Sequence, residues 1–159
     1  MKAFHLFEYW FEEARVRTDW LLLDLYLPLK PIGKERPRGA SHSTPIKTRS
    51  WTDYVGDCVS ELMEGKPAID FPVAAKVIFG LSGKKLPDTD NLEKALWDGL
   101  QRGDKRGLGR ALRDDKYVSG HIEKIERLVE PGEEFFWVRF YAHNPDDLAS
   151  YEEACGDDY

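Results

Sequence analysis

Cysteine is scarce in this sequence, and so are long apolar segments. The two cysteines among 159 residues, Cys58 and Cys155, form no CxxC pair, which excludes a disulfide-stapled secreted fold and argues against a structural zinc site. No apolar run approaches the roughly 20 residues that a membrane helix needs, and the acidic N-terminus is unlike a secretion signal. We therefore expect reduced thiols and no membrane contact, in the cytoplasm of the protein's own cell or of an infected host.

The length and composition suit one folded domain. With 42% apolar and 13% aromatic residues, the chain has enough material for one hydrophobic core. We expect this domain at residues 19–143. Before it, residues 1–18 are expected to form a helical extension. After it, residues 144–159 carry six acidic residues and no Lys or Arg, which predicts a disordered acidic tail.

The net charge of −6 hides two basic segments. Residues 30–49 hold six basic residues against one acidic residue, and residues 102–113 hold five against one. Either segment alone is typical of a solvated loop, but two of them flanking an acidic motif favour contacts with a phosphate backbone. The predicted DNA-binding residues are Lys34, Arg36, Arg38, Lys47, Arg49, Arg106 and Arg110.

The spacing of apolar residues predicts two helices and four strands in the body of the chain. A period of two predicts strands, and repetition at three and four residues predicts helices. In chain order these are a strand from Leu21 to Leu27, a helix from about Ser50 to before Gly65, a strand from Phe71 to Leu81, a helix from Asp90 or Asn91 to about Gln101, and two strands around Pro131 and Gly132, which we interpret as a hairpin. This β-α-β-α-β-β order favours an α+β fold with helices on one face of a mixed sheet.

Acidic residues gather where the second predicted strand gives way to the second helix. Asp88 and Asp90 stand two residues apart at this point, so that their carboxylates can converge. If the strand near Tyr117 neighbours the strand that ends at Leu81, Asp115 joins them, with Asp114 as the alternate. Three crowded carboxylates repel one another unless a cation lies among them. All-oxygen ligation favours Mg²⁺, or Mn²⁺ in its place, and such an ion can activate water against a phosphodiester.

Lys94 lies one helical turn beyond Asp90. Its ammonium could stabilise charge on a leaving oxygen. The spacing alone is equally compatible with a purely structural explanation. In that explanation Asp90 caps the helix and forms an ion pair with Lys94, and Asp114 and Asp115 are turn residues. Short DxD motifs are common by chance, so that both explanations stay open at this point.

A longer pattern resembles the RusA family of Holliday junction resolvases. The strings DTDNLEKALWDGL and DDKYV are similar to the family's acidic motifs, and GKERPRGASHSTPIKTRSWTDYV is similar to its basic loop and following helix. The resemblance covers about residues 20–143. It departs from the family between Asp98 and Asp115, where this chain is longer and rich in arginine.

The resemblance implies a homodimeric, Mg²⁺-dependent endodeoxyribonuclease that resolves four-way DNA junctions. It would make paired symmetric nicks that leave 5′-phosphates, in DNA recombination and repair. By position, Asp88, Asp90 and Asp115 correspond to the family's catalytic, metal-binding acids, and Lys94 to its catalytic lysine. Two sites related by a two-fold axis would suit a substrate that needs two symmetric cuts.

Two other functions remain as alternatives. A non-catalytic protein that kept the fold would bind four-way DNA with a steep salt dependence and never cut it. A phosphoryl hydrolase for small molecules would need a deep pocket rather than a polyanion groove, and the two basic segments make it the weakest hypothesis.

Overall fold

The computed structural model describes residues 20–32, 46–83, 89–101 and 109–156, without the side chains of 46–50, 89 and 119–123. The elements are β1 (Leu21–Leu27), α1 (Ile46–Leu62), β2 (Val73–Leu81), α2 (Thr89–Gln101), a 3-10 turn (Asp115–Tyr117), β3 (Val118–Leu128), β4 (Phe135–Ala142) and α3 (Pro145–Cys155). The strands and helices predicted for the body of the chain are all present in the predicted order. The helical extension predicted for residues 1–18 lies outside the described residues.

The four strands form one mixed sheet in the order β1-β4-β2-β3. β4 runs antiparallel to β1 and to β2, whereas β3 runs parallel to β2. Parallel neighbours need a crossover connection, and α2 with the residues after it supplies one between β2 and β3. The α+β prediction is therefore confirmed. None of the helices that the structure describes could cross a membrane.

The predicted hairpin of the last two strands is wrong, because β2 lies between them. The turn itself is present at Pro131 and Gly132, where Gly132 has a φ of +92°. The connection passes over the end of β2: the Val129 amide donates to the Leu81 carbonyl at 2.9 Å, and the Ser82 hydroxyl donates to Glu134 at 2.6 Å. It thus carries the chain from one edge of β2 to the other.

The predicted disorder of residues 144–159 is wrong for most of that segment. Asn144 caps α3 by accepting from the Asp147 amide, and Pro145 stands at the start of the helix. The helix is fastened by Tyr151, which is buried and donates to the Pro67 carbonyl at 2.9 Å. The buried Tyr151, together with the partly buried Cys155 that packs against the core, therefore orders a segment whose composition resembles a disordered tail. The boundaries proposed for the domain stay a prediction.

One face of the sheet carries the main core and all three described helices. Alternate residues of β1, namely Leu23, Leu25 and Leu27, point into this core, as the period of two predicted. Side chains of α1 and α2 cover the same face, and Tyr151 of α3 joins them. β2 is buried along its whole length on both faces, which is typical of a central strand.

The opposite face carries a row of charged residues across the sheet. The register pairs Asp24 of β1 with Arg139 of β4, and Arg139 with Lys76 of β2, which in turn pairs with Glu123 of β3. Arg139 is 2% exposed and donates to Asp24 from Nε and Nη2 at 3.1 and 2.9 Å. Burial raises the pKa of Asp24, and its hydrogen bond from Trp137 opposes that change.

Asp24→Ala should destabilise the fold, because it leaves the buried Arg139 guanidinium without its carboxylate partner. We expect a loss of about 3 kcal/mol in the free energy of unfolding, measured by urea denaturation. Asp57→Ala, at an exposed position on α1, is the matched control. Equal stability of the two variants would show that the Asp24–Arg139 pair contributes nothing.

Helices α1 and α2 touch at a position that only glycine fits. A Cβ built on Gly99 of α2 would lie 2.6 Å from Cγ1 and 3.0 Å from Cβ of Val55 on α1. Because Val55 is fully buried, it has little room to yield. The close approach sets how α2 lies on the sheet and therefore where its first turn falls.

Gly99→Ala should destabilise the protein by about 1–3 kcal/mol in spite of the higher helix propensity of alanine, because overpacking outweighs propensity at this contact. Urea denaturation measures the change. A second variant, Gly99→Ala with Val55→Ala, should recover part of the overpacking loss. Stabilisation by the single variant would contradict the proposed contact.

Candidate active site

The first turn of α2 presents the predicted acidic motif to solvent. Leu92, Leu96 and Leu100 bury one side of the helix in the main core, which turns the other side outward. Asp90 lies in the first turn, where a negative charge interacts favourably with the helix dipole, and its side chain is 73% exposed. Asp88 lies outside the described residues.

Two charged residues that the sequence interpretation missed surround Asp90. Lys124 of β3 extends its ammonium to Asp90 Oδ1 at 3.0 Å and to Glu93 Oε2 at 2.8 Å. The hydrogen bond to Glu93 is the largest cause that raises the pKa of Lys124; desolvation opposes it, and Asp90 adds to it. The spacing of three residues between Asp90 and Glu93 could have indicated a shared helix face, but no local pattern pointed to Lys124.

Glu93 is held from a second side by the core. The indole nitrogen of Trp97 donates to Glu93 Oε1 at 2.9 Å. Trp97 is 6% exposed and packs its ring 6.0 Å from that of Phe140 on β4. Both carboxylate oxygens of Glu93 therefore have a donor, and its side chain is only 17% exposed.

Lys94, the predicted catalytic lysine, lies four residues after Asp90 and is exposed on α2. Its solvent-facing position leaves the ammonium accessible to a phosphate that approaches the first turn. The structure thus places two lysines at this turn, Lys94 from the helix itself and Lys124 from β3.

Asp114 and Asp115 occupy different positions in the turn before β3. Asp114 caps the 3-10 turn, and its carboxylate accepts from the Lys116 amide at 3.0 Å. Asp115 is the first residue of that turn and is exposed. Because the Asp114 carboxylate already caps the 3-10 turn, this arrangement favours Asp115 as the residue whose carboxylate is available to a ligand.

The segment before this turn is fixed by backbone contacts. The amides of Ala111 and Leu112 both donate to the Leu100 carbonyl at the end of α2, at 3.0 and 3.1 Å. Gly109 has a φ of +80°, and a Cβ there would lie 2.8 Å from Cα of Ser60. The backbone of residues 109–112 is thus fixed against α1 and α2 before the chain enters the turn at Asp114.

The register gives the levels along the sheet at which β3 begins after the Asp115 turn and at which Lys124 lies. Val118, just after the 3-10 turn, pairs with Val73, whereas Lys124, which reaches Asp90, pairs with Val77. Four residues of β2 separate these levels, a rise of about 13 Å. Within the described parts of the chain, no group of three or more acidic, His or Cys side chains could hold a metal ion. The structure therefore brings Lys124 and Glu93 to Asp90 and places the turn of Asp115 at the start of β3, beside α2.

The exposed donors fit a hard divalent cation in their chemistry. Asp90 and Asp115 offer carboxylate oxygens, which Mg²⁺ and Mn²⁺ prefer. Mg²⁺ retains several waters and uses few direct protein ligands, so that an exposed carboxylate at a helix start suits it better than an enclosed cage would.

Most predicted DNA-binding residues fall outside what the structure describes. Lys34, Arg36, Arg38 and Arg106 lie in undescribed segments, and the side chains of Lys47 and Arg49 in α1 are not described. Arg110 is described and is partly exposed, next to Gly109. Its position lies between the end of α2 and the turn that holds Asp115.

The chain is similar to known nucleases over this region. A sequence profile described as Endodeoxyribonuclease RusA matches residues 28–130. A crossover junction endodeoxyribonuclease RusA from Aquifex aeolicus (strain VF5) is 26% identical over 113 residues, which cover 68% of this chain and 85% of that protein. The matched region contains all the acidic and basic residues predicted for the site, and also Glu93 and Lys124.

Replacing the two neighbouring aspartates should separate capping from chemistry. Asp114→Ala removes the cap of the 3-10 turn and should cost about 1 kcal/mol in the free energy of unfolding. Asp115→Ala changes an exposed residue and should stay within about 0.5 kcal/mol of the wild type. Urea denaturation of both variants gives the comparison, and a reversed order would assign the cap to Asp115.

Proposed function

This chain belongs to the RusA family of endodeoxyribonucleases, and from that membership we propose that it resolves four-way DNA junctions by paired, symmetric, Mg²⁺-dependent nicks. The observation that carries the proposal is the exposed Asp90 carboxylate in the first turn of α2, within the matched region and beside two lysines. The Aquifex relative, named as a crossover junction endodeoxyribonuclease, supports the same substrate.

We assign the metal ligands to Asp88, Asp90 and Asp115. Mg²⁺, or Mn²⁺ in its place, would supply Lewis-acid stabilisation of the charge that develops at the phosphodiester. Asp90 offers its carboxylate from a well-packed helix, and the capping task of Asp114 supports Asp115 as the third acid. The assignment requires Asp115 to approach Asp90 across the difference in height between the start of β3 and Lys124.

Lys94 would stabilise negative charge on the leaving oxygen, since its exposed ammonium stands one helical turn from Asp90. The basic residues would hold the DNA. Contacts of lysine and arginine with phosphates position a duplex and carry little sequence information, so that they suit a substrate recognised by its branched shape. These residues are Lys34, Arg36, Arg38, Lys47, Arg49, Arg106 and Arg110.

We include a homodimer in the proposal, because two active sites related by a two-fold axis can make two symmetric cuts. The products would carry 5′-phosphates. The two cysteines are free thiols, which suits the cytoplasmic location that action on intracellular DNA requires.

A junction-binding protein without activity is the second candidate. The position of the Asp115 turn at the start of β3 favours it, because Asp115 must approach Asp90 before the two carboxylates can share one ion. Cleavage and binding must therefore be measured separately on the same variants.

Asp90→Asn should lower the rate of nicking of a synthetic four-way junction by at least about a hundredfold, while binding of the junction in Ca²⁺ persists. The wild type, labelled on each strand in turn and given Mg²⁺, should show symmetric nicks on two opposing strands, with ends that a ligase can seal. Glu64→Gln, at an exposed position after α1, is the control.

The same assay distinguishes the acids and the alternatives. Asp115→Asn should resemble Asp90→Asn, and Asp114→Asn should keep most of the activity. Near-wild-type cutting by Asp90→Asn would remove the proposed chemistry. Tight binding by the wild type without cutting at any Mg²⁺ or Mn²⁺ concentration would establish the non-catalytic alternative.

A further inference from the structure

A chain of three contacts links the hydrophobic core to the exposed Asp90. It begins at the buried indole of Trp97, which donates to one oxygen of Glu93. The other oxygen of Glu93 accepts from Lys124, and the same ammonium donates to Asp90. The exposed fraction rises along the chain, from 17% for the Glu93 side chain to 26% for Lys124 and 73% for Asp90.

We propose that Lys124 is a positioning residue that fixes the Asp90 carboxylate and moderates its attraction for a divalent cation, with Glu93 and Trp97 as its anchor. The inference rests on the proposed function, since it assigns to Asp90 the task of holding that cation. Lys124 acts through Asp90 and is not itself given a contact with the substrate.

The geometry distinguishes this arrangement from an ordinary surface ion pair. Exposed pairs contribute little, because two long side chains lose conformational freedom to meet. Here Glu93 is already held by Trp97 and the helix, and the shorter contact, 2.8 Å, joins Glu93 to Lys124. The ammonium is therefore anchored before it meets Asp90, and only the short Asp90 side chain must be ordered.

The spacing along α2 makes the arrangement possible. Asp90, Glu93 and Trp97 are separated by three and four residues and so share one face of the helix. Lys124 reaches that face because β3 lies beside β2 in parallel register, with Lys124 opposite Val77, whose side chain belongs to the core beneath the helices.

The charges have a definite consequence for cation binding. An ammonium within hydrogen-bond distance of Asp90 repels a dication that binds the same carboxylate. Glu93 neutralises part of that ammonium charge, so that binding stays possible. Removal of Lys124 should therefore tighten cation binding and at the same time make the Asp90 carboxylate more mobile. If Lys124 only held α2 against β3, its removal would weaken cation binding instead.

The test measures Mn²⁺ binding without DNA, by calorimetry, together with turnover of the four-way junction at saturating Mn²⁺. Lys124→Met should lower the dissociation constant for Mn²⁺ on the order of tenfold and should lower turnover on the order of tenfold through misplacement of Asp90. Lys124→Arg, which keeps the charge, should restore the Mn²⁺ dissociation constant to near the wild-type value.

Two further variants keep the result interpretable. Lys66→Met makes the same charge change at an exposed position before β2 and should alter neither quantity. Glu93→Gln removes the charge that offsets Lys124 and should weaken Mn²⁺ binding, opposite in sign to Lys124→Met. Urea denaturation of each variant confirms that it is folded.

The outcomes separate this inference from the function on which it rests. Unchanged or weaker Mn²⁺ binding by folded Lys124→Met, in a protein that still resolves junctions, would overturn the inference and leave the nuclease intact. Tighter Mn²⁺ binding in a protein that never cuts would support the inference while the catalytic proposal fails. Absence of Mn²⁺ binding that depends on Asp90 in the wild type would overturn both the inference and the metal assignment.

Discussion

The sheet depends on one strand that pairs on both edges and is buried on both faces. β2 places β4 on one side and β3 on the other, and its backbone amides and carbonyls are satisfied by both neighbours. A strand in this position cannot slip by one residue, because a slip would exchange Val77 and its apolar neighbours for the buried, charged Lys76. The register of β3 against β2 follows from this constraint.

That register decides what surrounds the candidate site. α2 packs on the sheet through Leu92 and Leu96 and touches α1 at Gly99, so that its first turn falls beside β3 rather than beyond the sheet. Lys124 then meets Asp90 and Glu93 from across a gap of more than 30 residues in the sequence. The same parallel register holds the turn of Asp115 near the beginning of β2, about four β2 residues from the level at which Lys124 pairs with Val77.

Charge is distributed unevenly over the two faces of the sheet. On the face opposite the helices, Arg139 and Lys76 are buried and are paired in register with Asp24 and with Glu123. Buried charges need partners, and the Asp24 carboxylate provides one for the Arg139 guanidinium. On the helix side, the charges of Asp90 and Lys94 face solvent, where they are accessible to a polyanion.

The sequence by itself determined the α+β class, the order of the strands and helices and the outward position of Asp90 at the start of α2. These follow from local periodicity and from helix-start chemistry, which act over a few residues. Only the tertiary structure decided that β2 separates the last two strands, that α3 is fastened by Tyr151 and that Lys124 joins Asp90. Each depends on contacts between segments that are far apart in the chain. Such contacts are not reflected in the local residue pattern of either segment, so that the sequence does not predict them.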